Sequence, residues 1–187
     1  MPRWDPEAKE RLRAAALELF AEHGYENATV TQITERAGLT RRTFSRYFAD
    51  KRDVLFAGSE QLPDAMADAV RRADLALPPF QALLAALVEA GDLFAGLVSH
   101  AAQRRAVIAS SPELQERERT KLAAVTEAVV EALRERGATE SSAKMLAQVG
   151  IAVFQTAFER WTDHPEGADF AARVQEAAAE LAAHLTP

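Results

Sequence analysis

The chain has 187 residues, 48% of them hydrophobic, enough for the core of one or two compact domains. It holds no cysteine, which excludes disulfides and thiolate metal sites and fits a reducing, cytoplasmic setting. A net charge of −6 argues against general affinity for nucleic acid, yet residues 29–52 carry Arg36, Arg41, Arg42, Arg46, Lys51 and Arg52 against only Glu35 and Asp50.

Eight glycines and eight prolines beside abundant Ala and Leu favour an all-α fold. The opening "MPRWDPEAKERLR" has no apolar signal segment. The most apolar stretch, Phe80 to Val98, contains Glu89 and Asp92, so no membrane association is expected. Asp5-Pro6 reads as a cap and first helical residue. Leu12, Ala16, Leu19, Phe20 and His23 then recur at helical spacing up to Gly24. Thr29-Val30-Thr31-Gln32 predicts a capping box at the start of a second helix ending at Ala37-Gly38. Only Gly38 and Leu39 separate it from Thr40, the cap of a third, and a fourth helix is expected from Asp50 past Pro63 towards Arg72.

Two short helices joined by a tight glycine-containing turn form the helix-turn-helix pattern. In the third helix Phe44 and Phe48 make one i, i+4 stripe, and Arg42 and Arg46, flanked by Arg41 and Ser45, make another on the opposite side. If the phenylalanines enter a core with Leu12, Leu19, Phe20, Val30, Ile33 and Leu39, the arginines face away from it. Such a helix suits a major groove, where an arginine fork takes guanine O6 and N7 together.

The run "LELFAEHGYENATVTQITERAGLTRRTFSRYFADKRDVL" resembles the DNA-binding segment of the tetracycline-repressor (TetR) family of bacterial transcriptional regulators, and the resemblance covers the first 56 residues. It implies phosphate contacts from Thr29, Thr40, Tyr47 and Lys51, and base or phosphate contacts from Arg41, Arg42, Ser45 and Arg46. Many members have glycine where this chain has Arg42 and a tyrosine where it has Ser45, so a typical member's target sequence does not transfer.

Residues 1–56 are thus expected to form the DNA-binding domain, and 57–187 a helical effector-binding and dimerisation domain. Helices are predicted from Pro78-Pro79 to Phe94, from Ser111-Pro112 to Arg136 before Gly137, from Thr139 to Thr162 and from Phe170 to Leu185, with a turn at "DHPEGAD". The last two helices have wide apolar faces, and Gly150, Ala157, Ala171, Val174, Ala178 and Leu181 are candidates for an interface between two copies. The family pairs these helices as a four-helix dimer interface; the alternative is that both stripes are internal core. Met66, Phe94, His100, Arg104, Phe154, Gln155, Phe158 and Trp161 are candidates for the lining of an effector pocket, against the alternative of plain core.

The histidines are scattered without metal-type spacing, and neither a nucleophile elbow nor a phosphate loop occurs, so no catalytic residue, metal or cofactor is expected. The expectation is a homodimeric DNA-binding regulator, a repressor released from a near-palindromic double-stranded operator by an unknown small molecule. The competing reading gives the second domain a protein partner instead.

Overall fold

The computed structural model describes residues 6–94, 98–164 and 169–185, without the side chains of residues 6, 92–94 and 98–99. Every regular element among them is helical: α1 (Pro6–His23), α2 (Val30–Arg36), α3 (Arg41–Tyr47), α4 (Asp53–Phe56), α5 (Leu62–Arg72), α6 (Pro79–Phe94), α7 (Val98–Ala109), α8 (Pro112–Glu135), α9 (Glu140–Asp163) and α10 (Phe170–Leu185). The all-α expectation holds. The chain divides into two compact units, one of residues 1–59 with 100–118, the other of 60–99 with 119–187. Contiguous sequence does not reveal this composition, because residues 100–118 return to the N-terminal unit.

Local chemistry places the first helices. The Thr29 side chain accepts from the Gln32 amide at 3.3 Å, and the Gln32 side chain accepts from the Thr29 amide at 2.8 Å, which is the expected capping box. Thr40 caps α3 by accepting from the Thr43 amide at 3.1 Å. Gly38, at φ 63°, makes the turn between them, and a Cβ there would stand 3.2 Å from the Arg11 guanidinium. Arg11 in turn donates to the carbonyl of Ala37, the C-cap of α2. The expected cap Asp5 lies outside the described residues.

The first unit's core gathers Leu12, Ala16, Leu19 and Phe20 of α1, Ile33 of α2, Phe44 and Phe48 around α3, and Val54, Leu55 and Phe56 of α4. Burying each phenylalanine removes about 1.5–3 kcal/mol of apolar hydration cost. Val107 and Ile108 of α7 and Leu114 of α8 complete the same core. Two guanidinium groups from these later helices, Arg104 and Arg117, lie 5.2 and 5.1 Å from the centroid of the Phe56 ring. Tyr25 is buried edge-on against Phe20, with ring centroids 5.3 Å apart.

The expected fourth helix is not continuous. Gly58 adopts φ 89° and closes α4 after a single turn, and a 3-10 turn at Ser59–Gln61 leads into α5. Pro63 starts α5 rather than kinking a longer helix, because its missing N–H falls where no intrahelical partner exists. The bounds of helix α7 are not evident from the sequence; its mixed residues show weak periodicity, and Val107 and Ile108 are buried in a core built from distant segments.

In the second unit α6, α9 and α10 pack around Leu83, Leu87, Ala147, Val153, Ala157 and Val174. The close approach of α6 to α9 needs a residue without a side chain: a Cβ on Gly150 would lie 2.4 Å from Leu83 Cδ2. Gly91 admits the Phe170 ring in the same way, at 2.8 Å. Arg136 fastens the end of α5, donating to the carbonyls of Ala73 at 2.8 Å and Asp74 at 2.6 Å. Thr139 caps α9 as expected by accepting from the Ser142 amide at 3.3 Å, and Asp169 caps α10. Most of the expected "DHPEGAD" turn, residues 165–168, lies outside the described residues.

Two outcomes follow from this packing. Gly150→Ala should lower stability by about 1–3 kcal/mol through overpacking against the buried Leu83, read as a reduced urea midpoint at unchanged m-value. Burial, followed by the charge of Glu113, pushes the Tyr25 phenol up to about 12 from its ordinary 10.0. Above pH 10 the unfolded chain therefore loses a proton that the folded chain keeps, so stability falls as pH rises from about 10 to about 12. Tyr25→Phe should remove that part of the alkaline slope in denaturant titrations at stepped pH.

Candidate nucleic-acid interface

The site is built from α2 and α3. In α3 the buried Phe44 and the C-cap Phe48 lie with ring centroids 5.5 Å apart, and the two side chains hold that side of the helix in the core. The 100° step between residues then sends Arg41, Arg42, Ser45 and Arg46 outward, and all four are exposed. Thr29 and Thr40, the caps of α2 and α3, are exposed as well, and Tyr47 is half-buried.

The basic residues of this region divide into two groups. Arg36 is committed to α1 through a two-pronged pair with Glu22, at 2.6 and 2.7 Å. Its hydrogen bond holds the Glu22 carboxyl below the ordinary carboxylate value. Arg52 bonds Asp50 at 3.1 Å and Glu113 at 2.8 Å. The Lys51 ammonium donates to the carbonyls of Tyr25, Glu26 and Ala28 at 2.7, 3.0 and 3.1 Å, and stands 4.4 Å from the Tyr25 ring centroid. An ammonium has three donors, and here each has an acceptor inside the protein. The exposed guanidinium groups of Arg41, Arg42 and Arg46 remain as the outward charge. Arg46 is partly preset: Nη2 donates to the Tyr47 hydroxyl at 2.8 Å, and its guanidinium carbon lies 4.9 Å from the Tyr47 ring centroid. Sequence reasoning named both residues without seeing that they touch, because adjacent positions in a helix do not ordinarily face each other.

The residues expected at a pocket fall in both units. Met66 and Trp161 are buried in the second unit, with half-buried Phe154 and Phe158 and exposed Gln155. Phe154, Phe158 and Trp161 pack with one another and with Phe170, at centroid separations of 5.4 to 6.5 Å. His100 and Arg104 belong to the first unit. There Arg104 is already engaged, donating from Nε to the Leu55 carbonyl at 2.6 Å and from Nη2 to Glu118 at 2.9 Å. The side chain of Phe94 lies outside the described residues.

The residues expected at a dimer interface also divide. Gly150, Ala157 and Val174 are buried within the single chain, where the helices of one subunit use up their surface. Ala171, Ala178 and Leu181 of α10 are half-buried. Ala178 borders an open groove with Leu84 and Val88 of α6, and Leu181 borders another with Val149 and Ala152 of α9. Among the described residues no helix is long and apolar enough to cross a membrane.

Comparison with known proteins agrees with this geometry. Residues 12–57 match the profile of the bacterial regulatory proteins of the tetR family, and residues 77–186, more than half of the chain, match that of the MftR C-terminal domain. A Mycobacterium tuberculosis protein named as the mycofactocin biosynthesis transcriptional regulator MftR is 28% identical over 149 residues, covering 78% of this chain and 75% of that protein. The fold is shared with FadR of Bacillus subtilis, solved with stearoyl-CoA, at a TM-score of 0.61 and 20% identity over 90% of this chain and 94% of the other. It is shared too with SmeT, solved with triclosan, at a TM-score of 0.60 and 20% identity over 93% and 91% of the two chains. An arginine-bearing α3 set on a helix-turn-helix, followed by a helical C-terminal region, places this chain in the TetR family of bacterial regulatory proteins, which are DNA-binding transcriptional regulators and not enzymes.

Proposed function

We propose that the protein is a cytoplasmic, homodimeric repressor that grips a near-palindromic operator with α3 and leaves it when a small molecule with an apolar portion binds the C-terminal region, residues 57–187. The observation that carries this reading is the exposed set Arg41, Arg42, Ser45 and Arg46 opposite the buried Phe44 and Phe48. In this reading Arg42 and Arg46 enter the major groove, while Thr29, Thr40 and Tyr47 hold phosphates. Pairing through the half-buried face of α10, with Ala171, Ala178 and Leu181, supplies the two-fold axis that a palindrome mirrors. The ligand class draws support from FadR and SmeT, solved with stearoyl-CoA, which carries a long apolar acyl chain on a charged carrier, and with the aromatic triclosan.

Selecting bound fragments from genomic DNA should yield one motif with two-fold symmetry. Arg42→Ala with Arg46→Ala should then abolish preference for it, at about 1–3 kcal/mol for each guanine read. Wild-type discrimination by the double variant overturns the assignment of this face to the bases.

Ala178→Glu should split the dimer in sedimentation while each subunit stays folded, because the carboxylate enters an apolar contact between copies. Ala157→Glu should unfold the subunit itself, since Ala157 is 0% exposed. A ligand that raises the melting temperature should bind the free protein more tightly than the operator complex, by the factor with which it weakens DNA binding. Equal affinity in both titrations favours the rival reading, a C-terminal region that docks a protein partner.

A further inference from the structure

A lysine at the border of a DNA-reading helix is ordinarily counted among the phosphate ligands. The surroundings of Lys51 do not suit that role. Its ammonium is turned inward onto the segment that links α1 to α2, where the carbonyls of Tyr25, Glu26 and Ala28 converge at 2.7 to 3.1 Å. Three acceptors match three donors, so a phosphate oxygen could bond the ammonium only by displacing one of them. The face of the Tyr25 ring, 4.4 Å away, takes up a further side of the cation. That ring is itself fixed by Phe20, near the end of α1.

The carbonyls gripped by Lys51 belong to Tyr25, Glu26 and Ala28, and the next residue, Thr29, is the cap of α2. Lys51 itself sits just before α4, in a turn closed by the Asp50 carboxylate, which accepts from the Asp53 amide at 2.8 Å. The lysine therefore joins the entry of α2 to the corner after α3. The corner after α3 is also tied to α8 by Arg52 and Glu113 at 2.8 Å, and the turn is tied to α1 through Tyr25 and Phe20, but Lys51 is the side chain that joins the two points to each other.

We infer that Lys51 acts in DNA binding as a positioning residue, holding the 25–28 turn and the start of α2 against the corner after α3, rather than as a ligand of phosphate. The inference rests on the reading that α3 carries the DNA-contacting face, but its test does not need DNA. In the free protein, Lys51→Met should speed backbone hydrogen exchange at Gln32 and Ile33 at least tenfold, because the Gln32 amide bonds the Thr29 hydroxyl and the Ile33 amide the Thr29 carbonyl. The same variant should weaken binding to every DNA sequence while leaving the slope of log affinity against log salt within half a unit of wild type. A lost phosphate contact would instead lower that slope by about 0.9.

Unchanged exchange together with a slope lower by about one overturns the proposal. If Lys51→Met does not fold, Lys51→Arg decides, since it keeps the charge but replaces a compact three-way donor by a planar fork. Faster exchange with weakened binding supports positioning; wild-type exchange and wild-type affinity overturn it. Failure of the DNA-contact reading would appear elsewhere, as unaltered discrimination when Arg42 and Arg46 are removed.

Discussion

The outward basic face of this protein depends on two phenylalanines being out of water. Helix α3 is too short to hold its shape by backbone hydrogen bonding alone, since isolated helices of this length are marginal at best. Burial of Phe44 and Phe48 beside α1 and α4 fixes both its position and its rotation about its own axis. Once that rotation is fixed, the helical step leaves no choice about where Arg42 and Arg46 stand. The apolar core thus sets the direction of the charge, and for Arg46 the Tyr47 hydroxyl and ring add a local hold.

The same region shows how an acidic chain can keep a basic face without wasting cations. Arg36 and Arg52 are answered by carboxylates from α1, α8 and the turn before α4. Lys51 is answered by carbonyls. These groups give the small helices side-chain links that their apolar surfaces are too limited to supply. Arg41, Arg42 and Arg46 are left on one outward side, so the local positive field is narrower than the bare count of basic residues suggests.

Features set by neighbouring residues were legible in the sequence. The Thr29–Gln32 capping box, the Thr40 cap, the glycine turn at Gly38 and the Thr139 cap each involve groups within a few positions, and each stands where the chain's spacing puts it. The opposition of phenylalanines and arginines in α3 was legible for the same reason. What depended on tertiary packing was not. Gly58 interrupts a periodicity that otherwise runs on, and nothing nearby distinguishes its left-handed turn from a tolerated helical glycine. Helix α7 owes its burial to a core shared with α1 to α4, which lie far away in sequence. Small residues on α9 read equally well as a surface for a second copy or as room for Leu83, and only the placement of α6 decides for the latter at Gly150. Lys51 and Arg104 look like free cations until the carbonyls they grip come from other segments.

The discontinuous make-up of the first unit has a consequence for how the protein is made. The polypeptide leaves the ribosome from its N-terminus, so α1 to α4 emerge before the segments that close over Val54, Leu55 and Phe56 have been synthesised. Residues 60–99, which belong to the other unit, must pass through the exit tunnel first. At roughly 5–20 residues per second that interval lasts several seconds. During it the newborn helix-turn-helix shows an apolar patch to water, until Val107, Ile108 and Leu114 arrive to complete the core. A fragment cut after residue 59 would keep that patch permanently exposed.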